Sequence, residues 1–570
     1  MVDAKPARRG SFFAQPKYKL ELWGPLVLYL LVAAWQAHRL PDNLNPDTIP
    51  FLRNAEYILQ GRLSDSVSGY WNPLYTWSIV PLEKLGVDAV YAAKIVVIAW
   101  GLLAVLGSYC FLRGLVKKVT WTGAAALLIV AIDLGFFAAR YLQPDLILSA
   151  CLLFYVALTL SPNLPKQPWR QIAAGAAAGF AYLAKSYAFP FFLAHYTLTV
   201  LHDYFTAKSP RWPAQYIRTW LVGLLTFGVL AGPWIGVLTE KYGHFTVSTS
   251  AGIQHALVGP PDVDRTHTWD RKLYSVPEGR ISMWETPEDT PYHYWSPLES
   301  RANFVYQIKS FLAAASKLIK EIDIFDLLSM TLVALVFTPL MLLRPGSAES
   351  RRKAEWVLGT IACYSAGFML VFVQWRYIHS FLFPICCVFC LAFSLRMMWR
   401  MAARSNVGAR AKNVMVALAI LSFFGGTCAR YALAPPELHE GSHQQRDWAQ
   451  QLREAGAQGS LAALDTNSSA YVLYTCYYLN LPFSGAVDPN DLAKQDVHVV
   501  ERALKLVGVR TLLVPVDEQW KWFCDQTSWK HLTTLKAPTM SMEVYVATDH
   551  AAQADRSGNF HVLKSQVSSQ

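Results

Sequence analysis

Long apolar stretches separated by short basic segments occupy the chain up to residue 431, and a more polar pattern follows. A hydrocarbon core of about 30 Å needs roughly 20 mainly apolar helical residues. Stretches of that kind lie at 22–38, 91–112, 121–139, 141–160, 218–238, 325–343, 354–373, 377–395 and 413–431. The run 171–205 is longer, and as one straight helix it would reach about 52 Å, too far for one crossing. Lys185 and Ser186 sit near its middle and Pro190 follows, so the pattern predicts two short helices that turn at Lys185. With that pair the count comes to about eleven spans.

The tail alternates short apolar strands (Ser460–Leu464, Thr511–Val516, Met542–Ala547) with helical stretches such as Gln444–Ala455 and Val499–Val507. That alternation predicts a small α/β domain in water. The expected architecture is therefore mainly α: a polytopic membrane domain over 1–433 with outer loops at 39–90 and 239–324, interfacial helices on its outer face, and a C-terminal α/β domain over 434–570.

Composition agrees with this pattern. The 570 residues are 53% hydrophobic and only 16% charged, against roughly 25% charged in a soluble domain. The formal charge of +11 raises the question of nucleic acid, but its placement answers differently. Cations gather in alternate loops, for example Lys5, Arg8 and Arg9, then Arg113, Lys117 and Lys118, then Arg351, Arg352 and Lys353. Short cytoplasmic loops collect Lys and Arg, so the excess reflects topology and no nucleic-acid partner is implied. The orientation places the N-terminus in the cytoplasm and the tail outside it, as in a bacterial inner-membrane protein; the endoplasmic reticulum is the other membrane this pattern suits. The first apolar run lacks a convincing small-residue cleavage site and reads as an anchor. Cys476 and Cys524 are the pair in the outer tail; an oxidising compartment permits a disulfide between them, and the sequence leaves that open.

Polar groups at membrane depth are costly and often functional. Topology puts several at one outer level: Asp47 in the first outer loop, Asp133 in the outer third of the third span, Arg140, Gln143 and Asp145 in the next tight turn, Lys185 at the following one, and Gln374, Arg376 and His379 at a late one. Each has a plain structural alternative. Arg140 and Lys185 can snorkel to headgroups, Asp145 and Asp47 can cap the helices that follow them, and Asp133 can pair with a neighbouring cation.

The first outer loop is the most informative. It reads Asn45-Pro46-Asp47-Thr48 into an amphipathic stretch with Phe51, Leu52, Ala55, Ile58 and Leu59 on one side, then Gly61 as a stop, then Gly69-Tyr70-Trp71-Asn72-Pro73-Leu74-Tyr75. This predicts a helix lying along the interface. An acidic residue opening this loop, an Ala-Glu-Tyr helix ending in Gly and a following Pro-Leu-Tyr resemble the GT-C glycosyltransferases, in the branch of protein O-mannosyltransferases and lipid A aminoarabinose transferases. Arg140 with Pro144-Asp145, Gly179 through Lys185, and Trp375-Arg376-Tyr377 extend the resemblance over roughly residues 20–400.

The resemblance implies sugar transfer from a polyprenyl-phosphate carrier to an acceptor outside the membrane, with Asp47 as the catalytic acidic residue. Many relatives carry a second acidic residue after it, where this chain has Thr48, so a divalent metal stays open but without support from the spacing, and no other cofactor is assigned. The chemistry needs a base at the acceptor hydroxyl, assigned to Asp47. It also needs cations on the departing phosphate, for which Lys185, Arg376 and Arg140 are candidates. Asp133, Asp145, His379, Tyr70 and Trp71 complete the expected substrate-binding set. The second outer segment, with His255, Trp284, Glu285 and Trp295, lacks a strong regular pattern. It reads either as an interfacial aromatic belt or as a sugar-holding surface, with His255 its candidate polar member. An oligosaccharide ligase or polymerase of the same architecture, a lipid-linked-sugar flippase and a non-catalytic assembly subunit remain alternatives. The predicted partners are membrane lipids, the lipid-linked donor and an acceptor whose identity the sequence leaves open.

Overall fold

The computed structural model describes residues 16–206, 213–263, 265, 272–322, 348–397, 409–428, 443–487, 496–516, 523–536 and 540–547. The chain forms two compact units, one of Met1–His267 with Met283–Arg446, the other of Thr268–Ser282 with Asp447–Gln570. A piece of the second outer loop is thus grouped with the tail.

The first unit is helical. Its helices are α1 (Pro16–Arg39), α2 (Ile49–Leu59), α3 (Pro73–Lys84), α4 (Ala89–Leu115), α5 (Trp121–Arg140), α6 (Asp145–Thr159), α7 (Pro168–Ala184), α8 (Ala188–Thr206), α9 (Pro213–Tyr242), α10 (Ser250–Leu257), α11 (Arg301–Ile322), α12 (Ala348–Met369), α13 (Trp375–Val388, continued by a wide π-helical turn) and α14 (Ala409–Cys428). The expected break at Lys185 is present: α7 ends at Ala184 and Lys185 is extended, with φ −154° and ψ 125°. Among the described residues, five helices are long and apolar enough to cross a membrane (α1, α4, α5, α9 and α13 with its continuation), and α6 and part of α14 are shorter apolar helices. This marks an integral membrane protein, although the full count of eleven is not reproduced; the run 325–343 lies outside the described residues. Exposed side chains such as Trp23, Val27 and Leu31 on α1 and Leu221, Leu225 and Val229 on α9 form outward apolar faces suited to lipid. By contrast α13 is buried throughout and packs against α4, α5 and α6.

Two loop expectations change. The helix predicted at the interface is α2, but Ile49, Phe51, Leu52 and Ala55 are buried within the protein, so its apolar side faces other helices. The reason lies downstream: α3, opened by Pro73 at its first turn, folds back and covers α2. Gly61 ends α2 as expected, in the left-handed region at φ 76°, where an L side chain would be strained. The second loop is irregular only in part, since Arg301–Ile322 is a 22-residue helix. Its lysines interrupt the apolar positions and hid the 3.6-residue period.

The second unit carries a five-stranded sheet of order β2-β1-β3-β5-β4, with β1 Ser460–Ala463, β2 Phe483–Ala486, β3 Val509–Pro515, β4 Trp529–Leu535 and β5 Met542–Ala547. β1 runs parallel to β2 and β3, and β5 is antiparallel to β3 and β4. The remaining helices are α15 (His443–Glu454), α16 (Ser469–Leu479) and α17 (Val497–Leu506). Leu464, Val500, Leu504, Leu512, Val514, Phe523 and Trp529 form the core on one side of the sheet. Cys476 and Cys524 are both buried free thiols, so the open disulfide question resolves against a bridge: Cys476 lies by the Pro482 carbonyl, while Cys524 packs in this core.

The free edge of β2 is covered by the loop segment. Phe483 N–H donates to the Ile281 carbonyl at 2.6 Å and Tyr274 N–H to that of Ser484 at 3.1 Å. Gly485, at φ 92°, approaches so closely that a Cβ there would lie 1.9 Å from the Lys272 carbonyl oxygen. An exposed strand edge invites unwanted pairing, and here only glycine permits the cover. Gly485→Ala is expected to cost about 1–3 kcal/mol and to speed hydrogen exchange at the Phe483 and Tyr274 amides; unchanged protection at both would refute the role assigned to this contact.

Candidate functional site

Asp47 is placed by a turn. Its N–H donates to the Asn45 side-chain oxygen at 2.9 Å, a local bond typical of Asn before a helix. Thr48 ties the same turn to the Leu142 carbonyl at 2.8 Å, and Asn43 donates to the Ala139 and Arg140 carbonyls at 3.0 Å. Thr48, not Asp47, stands at the start of α2, so the Asp47 side chain is left for other partners. Its Oδ2 accepts from Arg376 Nη2, and its Oδ1 from the Trp284 indole at 3.0 Å.

Lys185 is held at the break between α7 and α8. The Asn72 amide brackets it, donating to the Tyr182 carbonyl at 2.8 Å and accepting from Ser186 N–H at 3.1 Å. The ammonium pairs with Asp145 Oδ1 at 2.7 Å and lies 3.5 Å from the Tyr377 ring centroid. Arg376 Nη2 also reaches the Tyr377 hydroxyl at 3.1 Å, and its Nε the Gln374 side chain at 3.0 Å. Tyr377 therefore stands between two ion pairs, Asp47 with Arg376 and Lys185 with Asp145. Arg376 Nη1 and Asp145 Oδ2 are buried and have no partner among the described residues. Asp47 and Lys185 keep 23% and 22% of their side-chain surface exposed, against 9% for Arg376 and 1% for Asp145. One acid and one cation thus face the open side, each backed by a buried opposite charge.

Burial alone would push the Asp47 carboxyl up. The charge and hydrogen bond of Arg376, the Trp284 indole and the charge of Lys185 together outweigh it, and the group is held below the usual carboxylate range. The neighbouring Tyr70 hydroxyl, which accepts from the Gln254 side chain, is pushed up by burial, then by Tyr377 and Asp47, and stays neutral.

The structure thus brings together Asp47, Asp145, Lys185 and Arg376 from four distant segments. Asp145 does not cap α6 and Lys185 does not reach for headgroups, because each takes the other. Tyr70 and Trp71 lie beside them, their rings 5.1 and 5.4 Å from that of Trp284. Other expected members sit elsewhere. Asp133 and His379 bury against each other at 2.8 Å, with Thr427 3.3 Å from the same carboxylate and the imidazole stacked on Trp375 at 4.4 Å. They act as a buried pair within the bundle, one helical turn beyond Arg376. Arg140 is buried at the end of α5 and Gln143 in the turn after it. His255 bonds Gln307 of α11 at 2.9 Å and stacks on Trp295 at 4.4 Å, which fastens α10 to α11 instead of facing the cluster.

Sequence reasoning passed over three contributors. Tyr377 lay in the Trp-Arg-Tyr triplet but was given no role. Asn72, before Pro73, carried the helix-start signal of an Asn-Pro step. Trp284 was only one aromatic among several; nothing local shows that its partner lies 237 positions away.

No family model and no curated sequence matches the chain. Solved structures do resemble it. ArnT from Cupriavidus metallidurans bound to undecaprenyl phosphate aligns with TM-score 0.52 and 13% identity, covering 94% of this chain and 99% of that one. The archaeal oligosaccharyltransferase AglB from Archaeoglobus fulgidus, in complex with an inhibitory peptide and a dolichol-phosphate, gives TM-score 0.47 and 10% identity over 89% of this chain and 71% of that one. The arabinofuranosyltransferase AftD from Mycobacteria gives 0.43 and 12% over 93% and 40%. At such identities the likeness is one of fold, and the ArnT alignment carries it: over nearly its whole length this chain shares the fold of that structure.

Proposed function

We propose that this protein is a glycosyltransferase that moves a sugar from a polyprenyl-phosphate-linked donor to an extracytoplasmic acceptor hydroxyl with inversion at the anomeric carbon. The observation that supports this most is the cluster of Asp47, Lys185 and Arg376. It holds a reachable ionised carboxylate within one group of side chains with two cations, in a fold whose solved neighbour ArnT is described bound to undecaprenyl phosphate. On this reading the site faces away from the cytoplasm, in a bacterial inner membrane.

The reaction needs a base and an anion hole. Asp47 takes the proton of the acceptor hydroxyl as that oxygen bonds to the anomeric carbon. The bond from that carbon to the phosphate oxygen breaks, and its electron pair leaves on the phosphate. Lys185 supplies a compact positive charge and Arg376 a planar fork for those oxygens, so developing charge meets donors already in place. Tyr70, Trp71 and Trp284 offer aromatic faces to a sugar ring. Asp133, His379 and His255 have no part in these steps.

Purified protein assayed with a panel of undecaprenyl-phosphate-linked sugars tests the reading. Asp47→Asn is expected to lower kcat by about 10²–10⁴-fold with folding intact; full turnover by this variant would eliminate Asp47 as base, and lipid translocation without sugar transfer would favour the flippase. Lys185→Met is expected to lower kcat/KM by about 10²–10³-fold and to weaken binding of undecaprenyl phosphate. Because the free enzyme holds Asp47 below the ordinary carboxylate range, kcat/KM should stay level as pH falls to about 4 and decline only below it. A decline beginning near pH 6 would contradict the assignment of that limb to Asp47.

A further inference from the structure

The two oxygens of Asp47 are held differently. Oδ1 accepts from a neutral donor, the Trp284 indole, whereas Oδ2 is occupied by Arg376. Each oxygen keeps a second lone pair, but a carboxylate neutralised by Arg376 is a weaker base, so the arrangement seen here is a resting state of the proposed base.

Trp284 is fixed from behind. Its carbonyl accepts from the Trp71 indole at 2.9 Å, and its ring meets those of Tyr70 and Trp71 edge-on. The next residue, Glu285, is fully buried, accepts from the Tyr57 hydroxyl at 2.6 Å and lies 4.0 Å from Arg53 of α2. The indole therefore keeps its place whatever occupies the site. Arg376 is differently situated. Its Nη1 is buried without a partner among the described residues, and its Nη2 is shared between Asp47 and the Tyr377 hydroxyl. An incoming phosphodiester carries the same single charge as a carboxylate but can take both guanidinium nitrogens at once, where Asp47 takes only one.

We infer that Trp284 is the positioning residue of this site: by holding Oδ1 of Asp47 it reserves Oδ2 for the acceptor hydroxyl once the donor phosphate has drawn Arg376 away. This rests on Asp47 being the base. Phosphate binding and base activation are then one event. Before the donor arrives, Arg376 pairs with Oδ2 and weakens it as a base; afterwards, Oδ2 is released while the indole still prevents the carboxylate from rotating. The acceptor proton passes to Oδ2, the new bond forms to the anomeric carbon, and the phosphate leaves with the electron pair onto Arg376 and Lys185. Trp284 gains and loses no atom.

The exchange has a proton signature. The groups facing Asp47 are Arg376 and Tyr377 from α13, Lys185 from the α7–α8 break, and Tyr70 and Trp284 from the two loops; Asp145 lies behind Lys185. When Arg376 turns to a phosphate, Asp47 loses its principal stabilising cation and binds a proton more readily. Removing the indole removes another stabilising bond and moves that uptake further up the pH scale.

The test uses full-length protein in lipid nanodiscs and undecaprenyl phosphate as the probe. Calorimetry in buffers of different ionisation enthalpy measures protons taken up on binding between about pH 4 and 8, a range chosen to bracket ordinary and raised carboxylate values. Uptake by the wild type should exceed that by Asp47→Asn, the difference isolating Asp47 from the phosphate's own titration. In Trp284→Phe, which keeps an aromatic ring and the backbone carbonyl, the uptake window should shift up by about one pH unit, with affinity changed less than about threefold. Trp284→His, which restores a ring N–H, should move the window back toward the wild type and confirms folding of the loop if Trp284→Phe does not purify. Identical uptake curves for wild type and Asp47→Asn would overturn the exchange. A Trp284→Phe curve superposed on the wild type, or a Trp284→His curve that stays with no return, would overturn the positioning role alone. Sugar transfer retained by Asp47→Asn would instead overturn the base on which both depend.

Discussion

The ion pair between Asp47 and Arg376 joins positions 329 residues apart, and much of the surrounding structure serves to hold its two ends in register. On one side, Asn43 and Thr48 fasten the loop before α2 to the end of α5 and the turn after it, while Asn45 closes the loop's own turn on Asp47. On the other, α13 is buried throughout and is tied to α6 by the Ser149–Ser380 hydrogen bond at 2.9 Å. A partly buried charge pair is not a large source of stability, because desolvation offsets most of its Coulomb energy. Its value lies in geometry: it places an ionised carboxylate next to cations that are partly shielded from water, where charges act strongly on one another.

The same economy explains the second pair. Lys185 sits at a helix break, where an extended residue lets the side chain leave the bundle axis, and Asn72 satisfies the backbone groups that the break exposes. Asp145 stands at the first position of α6 and answers the ammonium from within the bundle. The Asp133–His379 pair shows the contrasting case. Equally polar, and with His379 only one helical turn from Arg376, it is closed off by Trp375, Phe383 and Thr427 and has almost no exposed surface to offer a ligand. Exposure, more than charge, separates the site from its structural neighbours.

What could be read from the chain follows the range of the interactions involved. The break at Lys185, the stop at Gly61 and three strands of the tail are local events, set by apolar period and by glycine or charge in an apolar run, and they were legible. Asp47, Asp145, Lys185 and Arg376 were legible as a set because membrane topology fixes their level even when nothing fixes their distance. Which of them meet was not. His255 and Trp284 lie in the same loop with similar surroundings in sequence, yet one pins α10 to α11 and the other contacts Asp47. Helix α11 and strands β2 and β4 escaped for a related reason: lysines divide the apolar stripe of the first, and the strands gain their partners only through tertiary pairing.

The central claim is that the Asp47, Lys185 and Arg376 cluster receives a lipid phosphate. An electron cryomicroscopy structure of the full chain in a nanodisc with undecaprenyl phosphate tests it most directly. The account predicts density for the phosphate within hydrogen-bond reach of Lys185 Nζ and the Arg376 guanidinium, with Arg376 withdrawn from Asp47. Phosphate density at another place, with the Asp47–Arg376 pair undisturbed, would contradict it.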